Sequence, residues 1–298
     1  MILTGYKVLI FGGDNRHLEI ARLLSERDAT VVLAGYGNLR TPLPGTMFLE
    51  TEAITQESFH ALVLPAKGAD DAGVVDALFD AQKLILDDAL LKRLAVRIIF
   101  TGIAGTYLRA LAERNGVRLI PLFDRDDVAI LNAIPTVEGA LALTIQHTDF
   151  TLHGAKTVVL GFGRVGMTLA RTLHAIGSDV AVGARSPENL ARATEMRLNP
   201  FHLADLKDRV READLLYNTI PHPIVTAEVI ARMKQTAFIL DLASAPGGTE
   251  FRFAEKRGIK AILAPSLPGL VAPKTAGRIM ADVIGQVLLD ELPLENLS

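Results

Sequence analysis

The sequence contains no cysteine, which excludes several kinds of chemistry at once. Disulfides, thiolate nucleophiles, thiolate zinc sites and cysteine-held iron–sulfur clusters cannot form without it. The seven histidines make neither a His-x-His nor a His-Glu-x-x-His pattern. A metal site would have to be assembled from residues far apart in the sequence, so we predict that the protein holds no metal.

A basic surplus and a long apolar run are also missing. The formal net charge is −3 and Lys and Arg are spread along the chain, so no basic stripe is available for a run of phosphates. Pro, Gly or a charge interrupts each apolar run before the roughly 18 residues that a spanning helix needs. Residues 1–11 lack the basic and apolar regions of a signal peptide. We therefore expect no nucleic-acid partner, no membrane and a cytoplasmic location.

What the sequence does contain is typical of two α/β domains. A chain of 298 residues suits two cores of roughly 100–200 residues each. We predict an α/β protein with two Rossmann-like parallel-sheet domains and an interdomain cleft. The predicted parts are a flavodoxin-like or Rossmann-like domain (1–130), a connecting helix (131–150), a second Rossmann domain (151–272) and a C-terminal helix that packs back across the domains (273–298).

Short β-branched runs alternate with amphipathic segments in both halves, which favours parallel sheets covered by helices. The predicted strands are Lys7–Phe11, Val31–Ala34, Ala61–Leu64, Ile98–Phe100, Arg118–Pro121, Thr157–Gly161, Asp179–Gly183, Leu215–Asn218, Phe238–Leu242 and Lys260–Leu263. The predicted helices include Leu18–Leu24, Val74–Phe79, Tyr107–Arg114, Val128–His147 and Thr275 to about Leu289.

One glycine motif carries the functional prediction. It reads Gly161-Phe162-Gly163-Arg164-Val165-Gly166, follows a predicted strand directly and opens an amphipathic helix. In this setting the first glycine permits a tight turn, the second lets the backbone approach a pyrophosphate and the third lets the helix pack close to the strand. Free N–H groups and the helix dipole then bind the anion. The motif predicts a bound nicotinamide dinucleotide and hence an oxidoreductase.

The end of the second strand of this unit indicates which dinucleotide is bound. An NAD site usually has an Asp or Glu there, which accepts hydrogen bonds from the ribose hydroxyls. This sequence instead has Gly183-Ala184-Arg185-Ser186, in which a planar cation and a hydroxyl suit a 2′-phosphate. We therefore favour NADP(H) and keep NAD(H) as the alternative; a solvated surface charge is the structural alternative for Arg185.

Further candidate residues follow from the position of other turns. Thr219, Pro221 and Ala243 lie in turns after the next two strands, where ligands of open α/β sheets bind, although such turns also serve simply to reverse the chain. The first half has its own turn, Gly12-Gly13-Asp14, but it lacks the third glycine and places a carboxylate where phosphate would sit. We do not expect a second dinucleotide there. Arg16 is a candidate to bind a substrate carboxylate, with a surface ion pair as the alternative.

Taken together, several motifs resemble those of the dipicolinate synthase family, in its A subunit. They are Gly12-Gly13-Asp14-x-Arg16-x-x-Glu19, Ile134–Gly139, Gln146-His147-Thr148, Gly161–Thr168, Gly183–Ser186, Asp241–Gly248 and Leu263–Gly277. These motifs span nearly the whole chain, and the run from Pro268 to Gly277 is far more specific than the glycine motif. Ser266 stands where glycine is expected.

The resemblance implies an activity and partners. It implies oxidation of dihydrodipicolinate to dipicolinate with NADP⁺, in the mother cell of a spore-forming bacterium, with the flavoprotein-like B subunit of dipicolinate synthase; we also expect a homo-oligomer. A dicarboxylate substrate needs cations, which Lys274 and Arg278, one helical turn apart, can supply if they face inward rather than solvent. Thr136 either binds a carboxylate or caps the helix after Pro135.

Two further residues are candidates for proton transfer. Because the substrate ring becomes aromatic as hydride leaves, a strong base is not essential. If a base exists, Glu138 is the first candidate and His222 the second, although His222, between two prolines, is also typical of a rigid loop.

Two rival functions stay open at the level of sequence. One is another two-domain NAD(P)-dependent dehydrogenase for a hydroxy acid or an amino acid. A 2-hydroxy-acid enzyme would resemble its family in having an Arg after the fifth strand and, later in the domain, a His paired with a Glu. Residues 241–250 contain no Arg, and no His follows His222. The other rival is a non-catalytic protein that binds NADP within a larger complex.

Overall fold

The computed structural model describes residues 1–50 and 58–293. The chain divides into two compact units. The first consists of residues 1–131 together with 272–298, and the second of residues 132–271. Each unit is built around its own six-stranded parallel sheet. The two parallel-sheet α/β folds that the strand and helix pattern predicts are therefore confirmed.

The first unit contains a parallel sheet, a small hairpin and flanking helices. Its strands are β1 (Lys7–Phe11), β2 (Thr30–Ala34), β3 (Thr46–Phe48), β4 (Ala61–Val63), β5 (Val74–Val75), β6 (Leu84–Ile85), β7 (Ile98–Thr101) and β8 (Arg118–Pro121). Its helices are α1 (Asn15–Glu26), α2 (Asp88–Leu94), α3 (Thr106–Arg114) and the start of α4 (Asp126–His147). The sheet order is β3-β2-β1-β4-β7-β8, and β5 and β6 pair antiparallel. This is the Rossmann order rather than the flavodoxin order, because a third strand lies outside β2.

The second unit repeats the same order with a different set of strands. They are β9 (Lys156–Leu160), β10 (Asp179–Ala184), β11 (Asn199–His202), β12 (Leu215–Asn218), β13 (Phe238–Asp241) and β14 (Lys260–Leu263). Helices α5 (Arg164–Ala175), α6 (Pro187–Glu195), α7 (Leu206–Arg209), α8 (Ala227–Ile230), α9 (Phe251–Lys256) and α10 (Leu267–Val271) connect or follow them. The sheet order is β11-β10-β9-β12-β13-β14. From β9 the chain first adds strands on one side of the sheet (β10, β11) and then on the other (β12, β13, β14), so the direction of strand addition reverses next to β9.

The C-terminal helix α11 (Pro273–Glu291) completes the first unit. It packs along α1, and a Cβ at Gly277 would lie 2.5 Å from the carbonyl oxygen of Arg16. Its inward side chains, such as Met280 and Ile284, belong to the same buried cluster as Leu24. The predicted segment 273–298 extends into residues 294–298, which lie outside the described part of the chain.

Some of the predicted elements are corrected by the structure. The predicted helix Val74–Phe79 is wrong, because Gly73 has a φ of +77° and the two valines after it pair with β6. The Asp70 carboxylate accepts hydrogen bonds from the amides of Ala72 and Val74 and fixes a turn just before them. Sequence periodicity also missed β3 and β11; β3 is a three-residue edge strand in which two side chains are exposed, and β11 contains Pro200.

Helix α4 is continuous through Pro135, so Thr136 lies inside a helix and does not cap one. Its hydroxyl donates to the Asn132 carbonyl at 2.7 Å, a bond that a Thr inside a helix commonly makes. The predicted capping role is therefore wrong. Among residues 1–50 and 58–293, α4 alone is long and apolar enough to cross a membrane by length and composition, with a mean hydropathy of 1.7 over 18 residues. Core helices of soluble proteins meet the same test.

Candidate dinucleotide-binding site

The turn between β9 and α5 is shaped by two glycines that have no room for a side chain. Gly161 has a φ of +89°, and a Cβ there would lie 2.4 Å from the Thr219 hydroxyl oxygen. A Cβ on Gly166 would lie 2.2 Å from the carbonyl oxygen of Gly161. Both approaches are closer than any real Cβ contact, so these positions require glycine for the turn and the helix to pack.

Gly163 differs from the other two glycines because nothing crowds it. It is the N-cap of the 12-residue helix α5, has an ordinary extended backbone with a φ of −85°, and receives no side-chain cap. Apart from its two chain neighbours, no atom of residues 1–50 and 58–293 lies within 4 Å of the position that a Cβ would occupy. The glycine is therefore not needed by the fold here, and its missing side chain leaves an open cradle at the positive end of a helix. Such a cradle fits a pyrophosphate.

The other members of the motif divide between the core and the surface. The Phe162 side chain is buried in the core of the second unit, so only its main chain is available to a ligand. Arg164 is exposed and Val165 is half-buried in the first turn of α5. Of these residues, the main-chain amides and the Arg164 side chain are therefore the groups that can contact a dinucleotide.

The end of β10 carries the predicted selectivity residues. Ala184 ends the strand and is buried, whereas Arg185 is exposed. The Ser186 hydroxyl oxygen caps α6 by accepting from the Asn189 amide at 3.3 Å, and Pro187 begins that helix. The hydroxyl can still donate its own proton. Arg185 and Ser186 thus lie between the end of β10 and the N-terminus of α6, and β10 is the neighbour of β9 in the sheet.

Two turns at the ends of β12 and β13 carry the remaining predicted residues. The Thr219 hydroxyl donates to the Leu160 carbonyl at 2.8 Å and so ties its turn to the end of β9. Pro221 and His222 are exposed in the same turn. Ala243, in the other turn, is buried, and its amide donates to an Asp241 carboxylate oxygen at 3.0 Å.

Sequence reasoning did not select the two polar residues that end these strands. Asn218 and Asp241 are both fully buried and face each other in register. A signal was present: each is a polar residue at the last position of an otherwise apolar strand, in the segments Leu215–Asn218 and Phe238–Asp241. Such a residue, once buried, must find hydrogen-bond partners at the ligand-binding edge of the sheet.

The corresponding turn of the first unit is occupied by its own carboxylate. Asp14 is the N-cap of α1 and accepts from the Arg16 amide at 2.9 Å and from the Arg16 guanidinium at 2.5–3.1 Å. Partial burial by itself raises the pKa of Asp14, but the His17 ring and the Arg16 guanidinium outweigh it and hold that pKa well below its usual range. An anion of the protein thus takes the place of a phosphate.

The predicted substrate cations lie on α1 and α11 of the first unit. Arg16 is buried and paired with Asp14, whereas Lys274 and Arg278 are exposed on α11. A hydrogen bond from Arg22 lowers the pKa of Glu19, and the positive charges of Arg278 and Lys274 add to this effect. The geometry agrees, because a Cβ on Gly277, between the two cations on α11, would lie 2.7 Å from the Glu19 Cβ.

The two candidate proton-transfer residues are exposed in the second unit. Glu138 lies on α4, and His222 lies in the turn after β12. Within the described residues, no group of three or more His, Cys, Asp or Glu side chains is arranged to hold a metal ion.

Two Rossmann sheets, one with an open glycine turn at the N-terminus of its first helix, define a two-domain protein with a nicotinamide-dinucleotide-binding domain. The D-isomer specific 2-hydroxyacid dehydrogenase NAD binding domain matches residues 140–247. The N-terminal domain of the dipicolinate synthase A subunit matches residues 7–123.

Full-length relatives identify the family. The dipicolinate synthase A subunit of Bacillus subtilis (strain 168) is 47% identical over 97% of this chain and 98% of its own length. Crystal structures of the same protein from Bacillus halodurans and from Bacillus subtilis are each 46% identical, cover 97% of this chain and 99% and 97% of theirs, and superpose with TM-scores of 0.91. The chain belongs to the family of dipicolinate synthase A subunits, as its motifs predict.

Proposed function

We propose that this protein is an NADP-dependent oxidoreductase that oxidises dihydrodipicolinate to dipicolinate, pyridine-2,6-dicarboxylate. The observation that carries the proposal is the open cradle at Gly163, in a chain that is 47% identical to a dipicolinate synthase A subunit over nearly its full length. The space left without a side chain at a helix N-terminus supplies a place for the pyrophosphate. The relative's name supplies the substrate class.

Different groups of the chain bind different parts of the dinucleotide. Main-chain amides at the start of α5 hold the pyrophosphate. Gly161 and Gly166 allow the close packing of the turn and the helix that places these amides. Arg185 and Ser186 hold a 2′-phosphate at the end of β10, where NAD-specific sites have a carboxylate. We therefore propose NADP(H) in preference to NAD(H).

The reaction removes two electrons and two protons from the substrate ring. When bound, the nicotinamide accepts one hydride, which carries both electrons and one proton. The second proton leaves the ring as it becomes aromatic and passes to a base or to water. Glu138 is our first candidate for that base and His222 the second, because both side chains are exposed to solvent. Their task is to take up a proton, not to form a covalent intermediate.

The two substrate carboxylates require cations or hydroxyls. Lys274 and Arg278 are exposed on one face of α11, four residues apart, and are our main candidates. Arg16 is already paired with Asp14, so a substrate carboxylate would bind beside that pair and not replace it. Thr136 remains a candidate because its hydroxyl oxygen keeps acceptor capacity and can bind a protonated or water-bridged carboxyl group.

The relatives are named as one of at least two different subunits, which supports a complex with a second protein. We propose that this partner is the B subunit of dipicolinate synthase, that the chain also self-associates, and that it acts in the cytoplasm of the mother cell during sporulation. Neither a nucleic acid nor a membrane enters this proposal.

The decisive experiment is a titration of the purified chain with NADPH and with NADH, followed by an activity assay. We expect tighter binding of NADPH. We then expect NADP⁺ reduction when dihydrodipicolinate is generated in situ, with the chain alone or together with the B subunit. Binding without turnover under both conditions would support a non-catalytic NADP-binding role, and the absence of any binding would refute the oxidoreductase assignment.

A further inference from the structure

Asn218 and Asp241 form a buried polar pair at the ends of two neighbouring strands. They are register partners on β12 and β13, and both have no exposed surface. The Asn218 amide nitrogen donates to an Asp241 carboxylate oxygen at 3.1 Å. This pair lies at the carboxyl edge of the second sheet, where open α/β sheets bind their ligands.

The Asp241 carboxylate accepts four hydrogen bonds, which is the full capacity of its two oxygens. Besides Asn218, the Ala243 amide donates to Oδ1 at 3.0 Å, and the Gly248 amide and the Thr249 hydroxyl donate to Oδ2 at 2.8 and 2.7 Å. All four partners are donors, so the site suits an ionised carboxylate, which only accepts. A neutral amide at this position would turn a donor toward other donors.

These bonds lock two turns to each other. The Asn218 side chain also spans its own turn, because its oxygen accepts from the Ile220 amide at 3.0 Å and its nitrogen donates to the Ile220 carbonyl at 3.1 Å. The Gly248 carbonyl accepts from the amides of Ile224 and Val225 at 3.0 and 2.9 Å. A Cβ on Gly248 would lie 2.4 Å from the His222 carbonyl oxygen. The turns 218–222 and 242–249 therefore keep a single relative arrangement.

The strand order indicates which part of a dinucleotide these turns face. In the order β11-β10-β9-β12-β13-β14, Arg185 follows β10 on one side of β9, and the locked turns follow β12 and β13 on the other side. A dinucleotide with its pyrophosphate at the β9–α5 turn and its 2′-phosphate at Arg185 extends its remaining half toward β12 and β13.

We infer that Asp241, acting with Asn218, is a positioning residue that holds the turns 218–222 and 242–249 in the arrangement that binds the nicotinamide half of the cofactor. This inference rests on the proposed dinucleotide function. It assigns the buried carboxylate no contact with the ligand: Asp241 fixes the turns, and the turns bind.

Two ligands separate this role from a purely structural one. NADPH carries the nicotinamide half, whereas 2′,5′-ADP carries only the adenosine half with its phosphates. Asp241→Asn should weaken NADPH binding about tenfold or more, since two or more buried hydrogen bonds are lost or reversed. It should leave the affinity for 2′,5′-ADP within about twofold, because that fragment does not reach the turns.

The chain offers a matched control at the other end of the same sheet. Asp214 is a half-buried carboxylate just before β12 that accepts from the Lys156 amide and from the Lys234 ammonium group, both at 2.9 Å. Asp214→Asn also removes hydrogen bonds to a carboxylate of this unit, but at the amino edge, away from the two turns. We expect it to lower stability and to leave the affinities for both ligands unchanged.

Three outcomes decide the inference. If Asp241→Asn weakens NADPH selectively and Asp214→Asn does not, the positioning role holds. If Asp241→Asn weakens both ligands equally, or neither, the positioning role is refuted while the dinucleotide site stands. If the unaltered chain binds neither ligand, the proposed function fails and this inference with it. Should Asp241→Asn fail to fold by circular dichroism, Thr249→Val, which removes one donor to the same carboxylate, should show a smaller loss with the same selectivity; equal affinities would refute the role.

Discussion

Replacing Gly163 by valine should remove dinucleotide binding and leave the fold intact. The position has a φ of −85°, and no atom of the described residues other than its chain neighbours lies within 4 Å of a Cβ, so a side chain here starts in open space. Loss of an N-cap glycine weakens a helix by less than about 1 kcal/mol. Replacing glycine also lowers the conformational entropy of the unfolded chain, which stabilises the folded state by a similar amount. The free energy of unfolding should therefore change by less than about 1 kcal/mol.

The effect on binding should be much larger than the effect on stability. The valine methyl groups would occupy the space in which a pyrophosphate meets the first amides of α5. Loss of two charge-assisted hydrogen bonds corresponds to about 3 kcal/mol or more, which is more than a hundredfold in dissociation constant. Fluorescence titration with NADPH and with NADH measures this loss, and thermal unfolding measures the stability.

The chain contains a matched control for this substitution. Gly105 is the N-cap of α3 in the first unit, has extended backbone, lacks a side-chain cap, and has only the Ala69 carbonyl oxygen, at 3.9 Å, near a would-be Cβ. Gly105→Val should therefore match Gly163→Val in stability and bind both nucleotides normally. If Gly163→Val binds as tightly as the control, the cradle does not hold the pyrophosphate and the reasoning fails.

Three further predictions concern selectivity, pH and backbone strain. Arg185→Ala should weaken NADPH binding about tenfold or more and NADH binding little, and equal losses in parallel titrations would remove the 2′-phosphate assignment. Asp14 has a folded-state pKa below the unfolded value of about 3.9, so the destabilisation of Asp14→Asn should be constant near pH 7 and shrink as pH falls below about 4 in acid-unfolding curves; a difference that grows with acid would contradict the ion pair. Ser266 and Ala95 have left-handed φ values of +61° and +44°, so Ser266→Gly and Ala95→Gly should each stabilise by roughly 0.5–1 kcal/mol, and a lower melting temperature for either would contradict the strain.

Sequence periodicity predicted the parts of the fold whose physical signal is local. β1 and β12 are runs of four or five largely apolar residues that become fully or almost fully buried, and α5 has one apolar face and a glycine turn before it. The pattern was misleading where tertiary contacts decide the structure. Val74 and Val75 carry no pattern that separates a hairpin from a helix, and only their pairing with β6 makes them a strand.

In the candidate site, too, the sequence predicts the roles that depend on residues near in sequence and not those that depend on contacts between strands. The roles of Gly161 and Gly166 follow from the motif, because a tight turn and close packing depend on residues near in sequence. Asp241 could not be assigned in the same way, because its role depends on Asn218, which lies on the neighbouring strand, and on the amide of Gly248, seven residues further along the chain. Pairs of this kind become visible only when neighbouring strands are placed in register.

The two Rossmann sheets show how one architecture can be used in two ways. Each begins with a strand, a glycine turn and a helix, and each helix N-terminus favours a negative charge. In the first unit Asp14 supplies that charge from within the chain and is held by Arg16. In the second unit Gly163 supplies no side chain at all, and the same position is open. A phosphate at the first turn would have to displace a paired carboxylate, whereas the N-cap of the second helix carries no side chain that competes with it. The difference between a structural turn and a cofactor site therefore lies in whether the protein satisfies the helix terminus itself.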